Sequence, residues 1–281
     1  MKINQKINNK DIIIITGANF GLGLCLKKLF INNNNLLLID KSFKKNFIIK
    51  KKNFKIFGLK KDLTDDSILL HLKKFFSKYD YNLSLLINVA GIGLKGQFIE
   101  KRLKDHLKVI NLNIISIIKL SYFALKKFQN NKIGMKIKKL VNPQYNEINY
   151  INTIVNISSS ASFMPMPLFS TYSSSKKFVD HFTAALQIES IKYGVNIVSI
   201  SPSGFQSNFR KGMGVKYRIK LLPTIFVAKQ IYNYIQKVRL RNKYYRPLLI
   251  GFRSKIMYLF SLILPARIQS FLMGYAIRKL M

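Results

Sequence analysis

Two side chains four positions apart carry the first chemical suggestion: Tyr172 and Lys176, in the run Tyr172-Ser173-Ser174-Ser175-Lys176. On a helix these positions share one face. A lysine ammonium beside a phenol favours the phenolate and lowers its pKa from about 10. A tyrosine tuned in this way can give or take a proton near neutral pH. The same spacing also describes an ordinary solvated pair on a helix. Ser159, thirteen residues before Tyr172, adds a hydroxyl at a fixed interval.

A second group of residues points to phosphate. Thr16-Gly17-Ala18-Asn19-Phe20-Gly21-Leu22-Gly23 follows the apolar run Ile12–Ile15 and opens an apolar helical pattern. Glycines between a strand and a helix permit a tight turn and a close backbone approach to a pyrophosphate, which the helix N-terminus favours electrostatically. A dinucleotide site is therefore expected here. Asp40 stands 17 positions after Gly23, near the place where a carboxylate accepts ribose hydroxyls and repels a 2′-phosphate. It favours NAD. Lys41 follows at once and would attract that phosphate, so NADP stays open, and Asp40 can also be read as a turn cap.

The elements that must position these residues alternate. Strands are expected at Ile12–Ile15, Leu36–Ile39, Phe54–Leu59, Leu83–Ile87, Thr153–Ile157 and Val195–Ile200. Helical patterns cover Leu22–Phe30, Ser67–Lys78, about Leu103–Phe128 and Tyr172–Tyr193. Such βαβ units force a parallel sheet with helices on both faces, with ligands beyond the carboxyl ends of the strands. Further on come a helix near Thr224–Val238, an edge strand at Leu248–Ile250 and a tail from Phe252 to Met281. The expected class is α/β, a doubly wound parallel sheet: one domain over residues 1–250, with a basic amphipathic extension over 251–281.

Bulk numbers exclude several classes. Hydrophobic residues make up 48% of the 281, enough for a packed core and unlike a disordered chain. A single cysteine, Cys25, excludes an intramolecular disulfide, and three separated histidines exclude a His- or Cys-rich metal site. No stretch is expected to reach the roughly 18 apolar residues of a membrane span. The run after Lys2, Lys6 and Lys10 is too short for a signal peptide and reads as a strand. A net charge of +37 raises polyanion partners. Yet Lys travels with abundant Asn, Ile and Phe and is spread along the chain, as an A+T-rich genome would impose. Nucleic acid is accordingly not favoured.

Taken together, these motifs resemble the short-chain dehydrogenase/reductase family over about residues 11–210. TGANFGLG at 16–23 answers to that family's glycine motif. Asp62-Leu63-Thr64 matches its acidic turn at the adenine. Asn88-Val89-Ala90-Gly91 matches its NNAG segment, with Val89 for the second Asn. Asn111 matches the asparagine of its catalytic tetrad, and Ser159, Tyr172 and Lys176 match the rest. The resemblance implies a Rossmann-type fold and hydride transfer with NAD or NADP. Tyr172 would exchange the proton with the carbonyl or hydroxyl oxygen, and Ser159 would hydrogen-bond that oxygen. Lys176 would tune Tyr172 and bind the nicotinamide ribose; Asn111 would hold a water leading to solvent. Gly17, Asn19, Phe20, Gly21, Leu22, Gly23, Asp40, Asp62, Leu63, Asn88, Ala90, Gly91, Pro202 and Ser207 would hold the cofactor with Tyr172 and Lys176. Ser203 departs from the pattern by standing where the family has glycine. Gln129–Tyr150 is longer than its counterpart and basic at Lys132, Lys136, Lys138 and Lys139, which suggests a surface excursion.

The substrate expectation is apolar. Phe163, Met164, Met166, Leu168 and Phe169 separate the serine from the tyrosine, and in the family this segment borders the substrate. A 3-oxoacyl thioester on an acidic acyl carrier protein would suit the positive charge. Residues 252–281 mix apolar and basic side chains and could lie at a membrane surface, cover the pocket or join subunits. The expected setting is cytoplasmic, peripheral at a membrane through that tail, and the expected assembly a homo-oligomer. A protein that binds nucleotide or polyanion without turnover is the reading from another class.

Overall fold

The structure, a computed structural model, describes residues 10–141, 152–207, 209, 221–240 and 245–280. Its centre is an eight-stranded sheet: β1 (Asp11–Thr16), β2 (Asn35–Ile39), β3 (Phe47–Lys50), β4 (Lys55–Leu59), β5 (Asn82–Asn88), β6 (Thr153–Ile157), β7 (Asn196–Pro202) and β8 (Leu248–Ile250). The spatial order is β3-β4-β2-β1-β5-β6-β7-β8. Every neighbouring pair is parallel except β3 with β4. The doubly wound parallel sheet expected from the sequence is therefore present, with chain reversal between β1 and β5 at its middle.

The four consecutive isoleucines of β1 show how the core divides. Side chains alternate along a strand, so Ile13 and Ile15 enter one apolar layer while Ile12 and Ile14 enter the other. All four are essentially inaccessible to solvent, which is why this strand reads as an unbroken apolar run rather than an alternating one. α1 (Gly21–Phe30) covers the first layer through Leu22, Leu26 and Phe30. α2 (Ile68–Lys78) covers the second through Ile68, Leu72 and Phe76.

α3 (Leu103–Ile110) runs through a π-helical turn, Asn111–Ile115, into α4 (Ser116–Val141). The segment Leu103–Gln129 is long and apolar enough to cross a membrane, with a mean hydropathy of 1.4, contrary to the expectation that no stretch would be. Here it is a layer helix: Ile117, Leu120, Phe123, Ala124 and Phe128 are buried, and most of them enter the second apolar layer. The backbone helix continues to Val141 where a surface excursion was expected. The side chains of Lys132, Lys136, Lys138 and Lys139, and the rest of that excursion from 142, lie outside the described residues.

The other helices described among these residues are α5 (Ser170–Ile191), α6 (Thr224–Val238), α7 (Phe252–Ile263) and α8 (Ala266–Leu280). The sequence reading did not anticipate β3. Its Phe47 ring lies over Gly58 of β4, where an added Cβ would stand 2.0 Å from the ring. Gly58 is thus the position that lets an aromatic close the sheet edge. The tail from 252 forms two helices that meet at Pro265, because Leu264 is extended ahead of a proline.

Candidate active site

The carboxyl ends of β1, β2, β5, β6 and β7 open onto one cavity of about 660 Å³. On one side lies the glycine turn. Gly17 has φ +64°, and a Cβ there would stand 3.0 Å from the Ala90 backbone; a Cβ on Gly23 would stand 2.1 Å from the Gly17 carbonyl oxygen. The turn is compact because both side chains are missing. Thr16 ties it to β5 by accepting the Val89 and Ala90 N–H groups at 3.0 and 3.1 Å on Oγ1. α1 starts after Phe20 with no side-chain cap, so its first N–H groups are available to an anion. These features fit a dinucleotide pyrophosphate.

Asp40 ends β2 at the cavity wall. Its Oδ2 accepts the Asn19 N–H at 3.0 Å and its Oδ1 accepts the Ser42 N–H at 2.9 Å. Lys41 donates to Asp62 at 3.1 Å, so the cation that would attract a 2′-phosphate is drawn to the adenine-side turn. Burial alone would raise the Asp62 carboxyl, but the Thr64 N–H and hydroxyl and Lys41 hold it below the usual range.

On the other side lie Ser159, Tyr172 and Lys176. Ser159 follows β6 and caps a short 3₁₀ turn, its Oγ accepting the Ala161 N–H at 3.2 Å. Tyr172 and Lys176 sit on the buried side of α5. The Lys176 ammonium donates to the Ile157 carbonyl at 2.9 Å. Burial lowers its pKa to about 8, opposed by the charge of Asp180 one turn further on. Burial raises the Asp180 carboxyl, while the hydroxyls of Ser162, Ser158 and Ser199 and the Lys176 charge pull it back.

Three expected residues are elsewhere. Asn111 is exposed and off the cavity. The π turn that begins with it carries Leu112 and Asn113 inward instead, and such turns recur at functional sites. Asn113 is fully buried. Its Oδ1 accepts the Ile92 N–H at 3.0 Å, and its Nδ2 donates to the Ile92 carbonyl at 2.9 Å and to Ser175 Oγ at 3.0 Å. A Cβ on Gly91 would stand 3.2 Å from Asn113 Oδ1 and 3.4 Å from Lys176 Nζ, so the amide and the ammonium flank one glycine. Asn88 is the second correction. It is buried within the sheet, donating to Asn156 Oδ1 at 2.8 Å, and does not line the cavity. Asn19 is the third: its N–H donates to Asp40 and its side-chain amide donates to Ser42 Oγ at 3.0 Å, and it does not line the cavity.

The other expected cofactor residues, Gly17, Phe20, Gly21, Leu22, Gly23, Asp40, Asp62, Leu63, Ala90, Gly91, Pro202 and Ser207, all line the cavity. Gly21 and Ser207 are close enough that a Cβ on the former would touch the latter at 3.8 Å. Ser203 fits without left-handed backbone, since among the described residues Leu168 alone has positive φ outside glycine. Of the apolar segment, Met166 and Phe169 line the cavity. Phe163 and Met164 are buried, and Phe163 meets the Tyr258 ring at 5.3 Å.

Sequence reasoning missed three contributors, Asn113, Asp180 and Phe209, and it gave a place over the pocket as one of three open readings for the tail. Phe209 lies 5.6 Å from the Tyr172 ring. Met257 of α7 and Met273 and Ile277 of α8 line the same cavity, and the last two pack in one cluster with Tyr172. The apolar stripe of α3–α4 (Val109, Leu112, Ile117, Leu120, Ala124) predicts an inward residue at 113 and an outward one at 111. The motif match alone does not distinguish the two asparagines.

Comparison with known proteins places the chain. The short chain dehydrogenase profile matches residues 11–138 and 150–217, pausing at the excursion. The chain belongs to the short chain dehydrogenase family. It is 26% identical over 213 residues to 17-beta-hydroxysteroid dehydrogenase type 3 of Mus musculus, covering 72% of this chain and 63% of that protein. It is 27% identical over 220 residues to the 3-oxoacyl-(acyl-carrier-protein) reductase FabG of Buchnera aphidicola subsp. Baizongia pistaciae, covering 77% and 82%. The chain spans about three fifths of the length of the 17-beta-hydroxysteroid dehydrogenases it matches. Among solved structures, a short-chain dehydrogenase from Sphingobium yanoikuyae in complex with NADPH shares the fold. Its TM-score is 0.68 at 18% identity, over 85% of this chain and 87% of that one.

Proposed function

We propose that this chain is an NAD(P)-dependent oxidoreductase that interconverts a carbonyl and a secondary alcohol on a hydrophobic or acyl substrate. One observation carries the reading: a single cavity joins the glycine turn and Asp40 to Ser159, Tyr172 and Lys176. The family membership supports it.

The bound dinucleotide supplies or accepts the hydride. Gly17, Gly21 and Gly23 with the uncapped start of α1 hold its pyrophosphate, Asp40 its adenosine ribose, Asp62 and Leu63 its adenine. Ser159 Oγ orients the substrate oxygen, and Tyr172 gives that oxygen a proton in reduction or takes one in oxidation. Lys176, cationic below about pH 8, stabilises the phenolate through its field. Asn113, in place of Asn111, fixes the Ile92 backbone and Ser175 around Lys176 and holds the water path to solvent. Phe169, Met166, Met273 and Ile277 exclude water and favour an apolar substrate.

Three finer statements belong to the same reading. A 3-oxoacyl group on an acyl carrier protein is the second substrate class, supported by the Buchnera relative and the +37 charge. Residues 252–280 contact a membrane surface, supported by ten large apolar side chains exposed there. Pairing of copies is supported by exposed Ile115, Ile118, Tyr122 and Ile188 on α4, its π turn and α5.

The test is a fluorescence titration of the full chain with NADH and NADPH beside Asp40→Ala. Tight NADH binding that weakens on substitution supports the reading, with NAD as cofactor. NADPH preference moves the ribose contact to Lys41. Binding of neither sinks the proposal in favour of a polyanion-binding protein.

A further inference from the structure

The α7–α8 pair has two faces with different solvents. Its inner face is part of the cavity wall: Ile256 and Met257 from α7 and Met273 and Ile277 from α8 line the space that Tyr172 also lines. Ile277 packs in one buried cluster with Tyr172 and Phe169. Its outer face is apolar. Of the 25 large hydrophobic side chains exposed among the described residues, ten fall between Phe252 and Tyr275. They include Leu259 at 56%, Leu262 at 66%, Ile263 at 68% and Phe271 at 72% exposure. Such a density exceeds the scattered apolar residues of ordinary surfaces and marks an interaction site.

Charge identifies the occupant. Residues 190–281 contain 17 Lys and Arg and no Asp or Glu. On the pair itself Arg253, Lys255, Arg267, Arg278 and Lys279 are all exposed. Apolar side chains ringed by cations, with no anion in the last third of the chain, match an anionic bilayer interface, where the apolar face enters the acyl boundary and the cations meet headgroups. A protein partner would more often meet some charge of each sign. A second groove, between α8 and Pro167-Leu168, is lined by Arg267, Phe271 and Arg278. At positions i, i+4 and i+11 these three share one side of the helix.

We infer that the α7–α8 pair docks the chain on an anionic bilayer and passes an apolar carbonyl substrate from the lipid to Tyr172 across its inner face. The inference rests on the oxidoreductase reading for the second half only. Docking places the outer face in lipid while Met273 and Ile277, on the opposite side of the same helix, remain the wall of the cavity. An apolar ketone then travels about one helix diameter, roughly 10 Å, without entering bulk water.

Vesicle co-sedimentation of the full chain tests the docking, using phosphatidylcholine alone and phosphatidylcholine with phosphatidylserine. Binding is expected to the anionic vesicles, weakening as salt rises. The double variant Leu262→Glu/Ile263→Glu, both exposed and off the cavity, should lower binding by about 100-fold or more. Lys255→Gln/Lys279→Gln should lower it about 30-fold, from the attraction of each cation to an anionic leaflet. Equal binding to both vesicle types overturns the charge assignment. If Leu262→Glu/Ile263→Glu splits an oligomer in vesicle-free buffer and leaves vesicle binding unchanged, the face is an interface between copies and the inference falls. For the route, a long-chain ketone dissolved in the vesicles should be turned over by wild type and lost in that variant, while both proteins reduce a short water-soluble ketone equally. Vesicle binding with no turnover of either ketone overturns the route together with the oxidoreductase reading, not the docking.

Discussion

Exchange of Asn113 for Asn111 as the site asparagine makes a sharp prediction. Asn113→Ala removes three hydrogen bonds of 2.9–3.0 Å from a fully buried position. The Ile92 N–H and carbonyl and the Ser175 hydroxyl each lose a partner. At about 1 kcal/mol for each bond, and more where the orphaned group stays dry, the loss is about 3 kcal/mol. For a domain of this size that lowers Tm by about 6–12 °C. The displaced Gly91–Lys176 neighbourhood should also reduce turnover on the order of 100-fold, as small misplacements of reacting groups do. Asn111→Ala alters an exposed side chain and should change stability by less than about 0.5 kcal/mol, with turnover unchanged. Differential scanning calorimetry and steady-state rates, taken well below both transitions, measure the pair. A large fall in turnover for Asn111→Ala with none for Asn113→Ala would refute the assignment and restore the motif reading.

Gly23→Ala places a Cβ 2.1 Å from the Gly17 carbonyl, and backbone there cannot yield cheaply. Dinucleotide affinity should fall at least about tenfold, read by fluorescence titration, while the sheet survives by circular dichroism. Ser159→Ala loses the bond to the Ala161 N–H and should cost about 1 kcal/mol in urea unfolding, with a larger fall in kcat than in cofactor affinity. The depressed Lys176 pKa, about 8 in the fold against 10.5 ordinarily, carries a sign. The folded state releases this proton first, so unfolding free energy should rise with pH across that window, by up to about 3 kcal/mol. Lys176→Met should abolish that rise in urea titrations. Turnover should fall as pH passes about 8, where the cation beside Tyr172 is lost.

Most of the sheet and most of the cavity lining were legible because they rest on local rules. Unbroken β-branched runs, glycines at strand-to-helix turns and an i, i+4 pair on one helix face are properties of short windows. Ser159, Tyr172 and Lys176 therefore came together as spacing predicted. Asn111 failed because the motif match took no account of the apolar stripe of α3–α4, which turns 113 inward and 111 outward. Asn88 failed because Asn156, on the neighbouring strand β6, offers it a buried partner that no local pattern reveals. β3 escaped notice because a four-residue edge strand with one half-buried aromatic and three exposed residues has no periodicity to detect. The tail's composition was plain, but the entry of Met273 and Ile277 into the cavity wall is a matter of tertiary placement.

β3 also governs how this protein shares solution with its own copies. As the last strand of the sheet it presents Ile48 and Ile49, each about half exposed, on an edge that another strand could extend. Lys44 and Lys45 precede it and Lys50, Lys51 and Lys52 end it. Two such edges meeting antiparallel would set the lysines at the start of one against those at the end of the other. The lysines therefore act as gatekeepers against strand addition, whatever genomic bias supplied them. Their protection is electrostatic: with the screening length shrinking from about 8 Å at physiological salt to about 3 Å at 1 M, colloidal stability at high protein concentration should decline as salt is added, the reverse of a protein kept soluble by polar side chains alone.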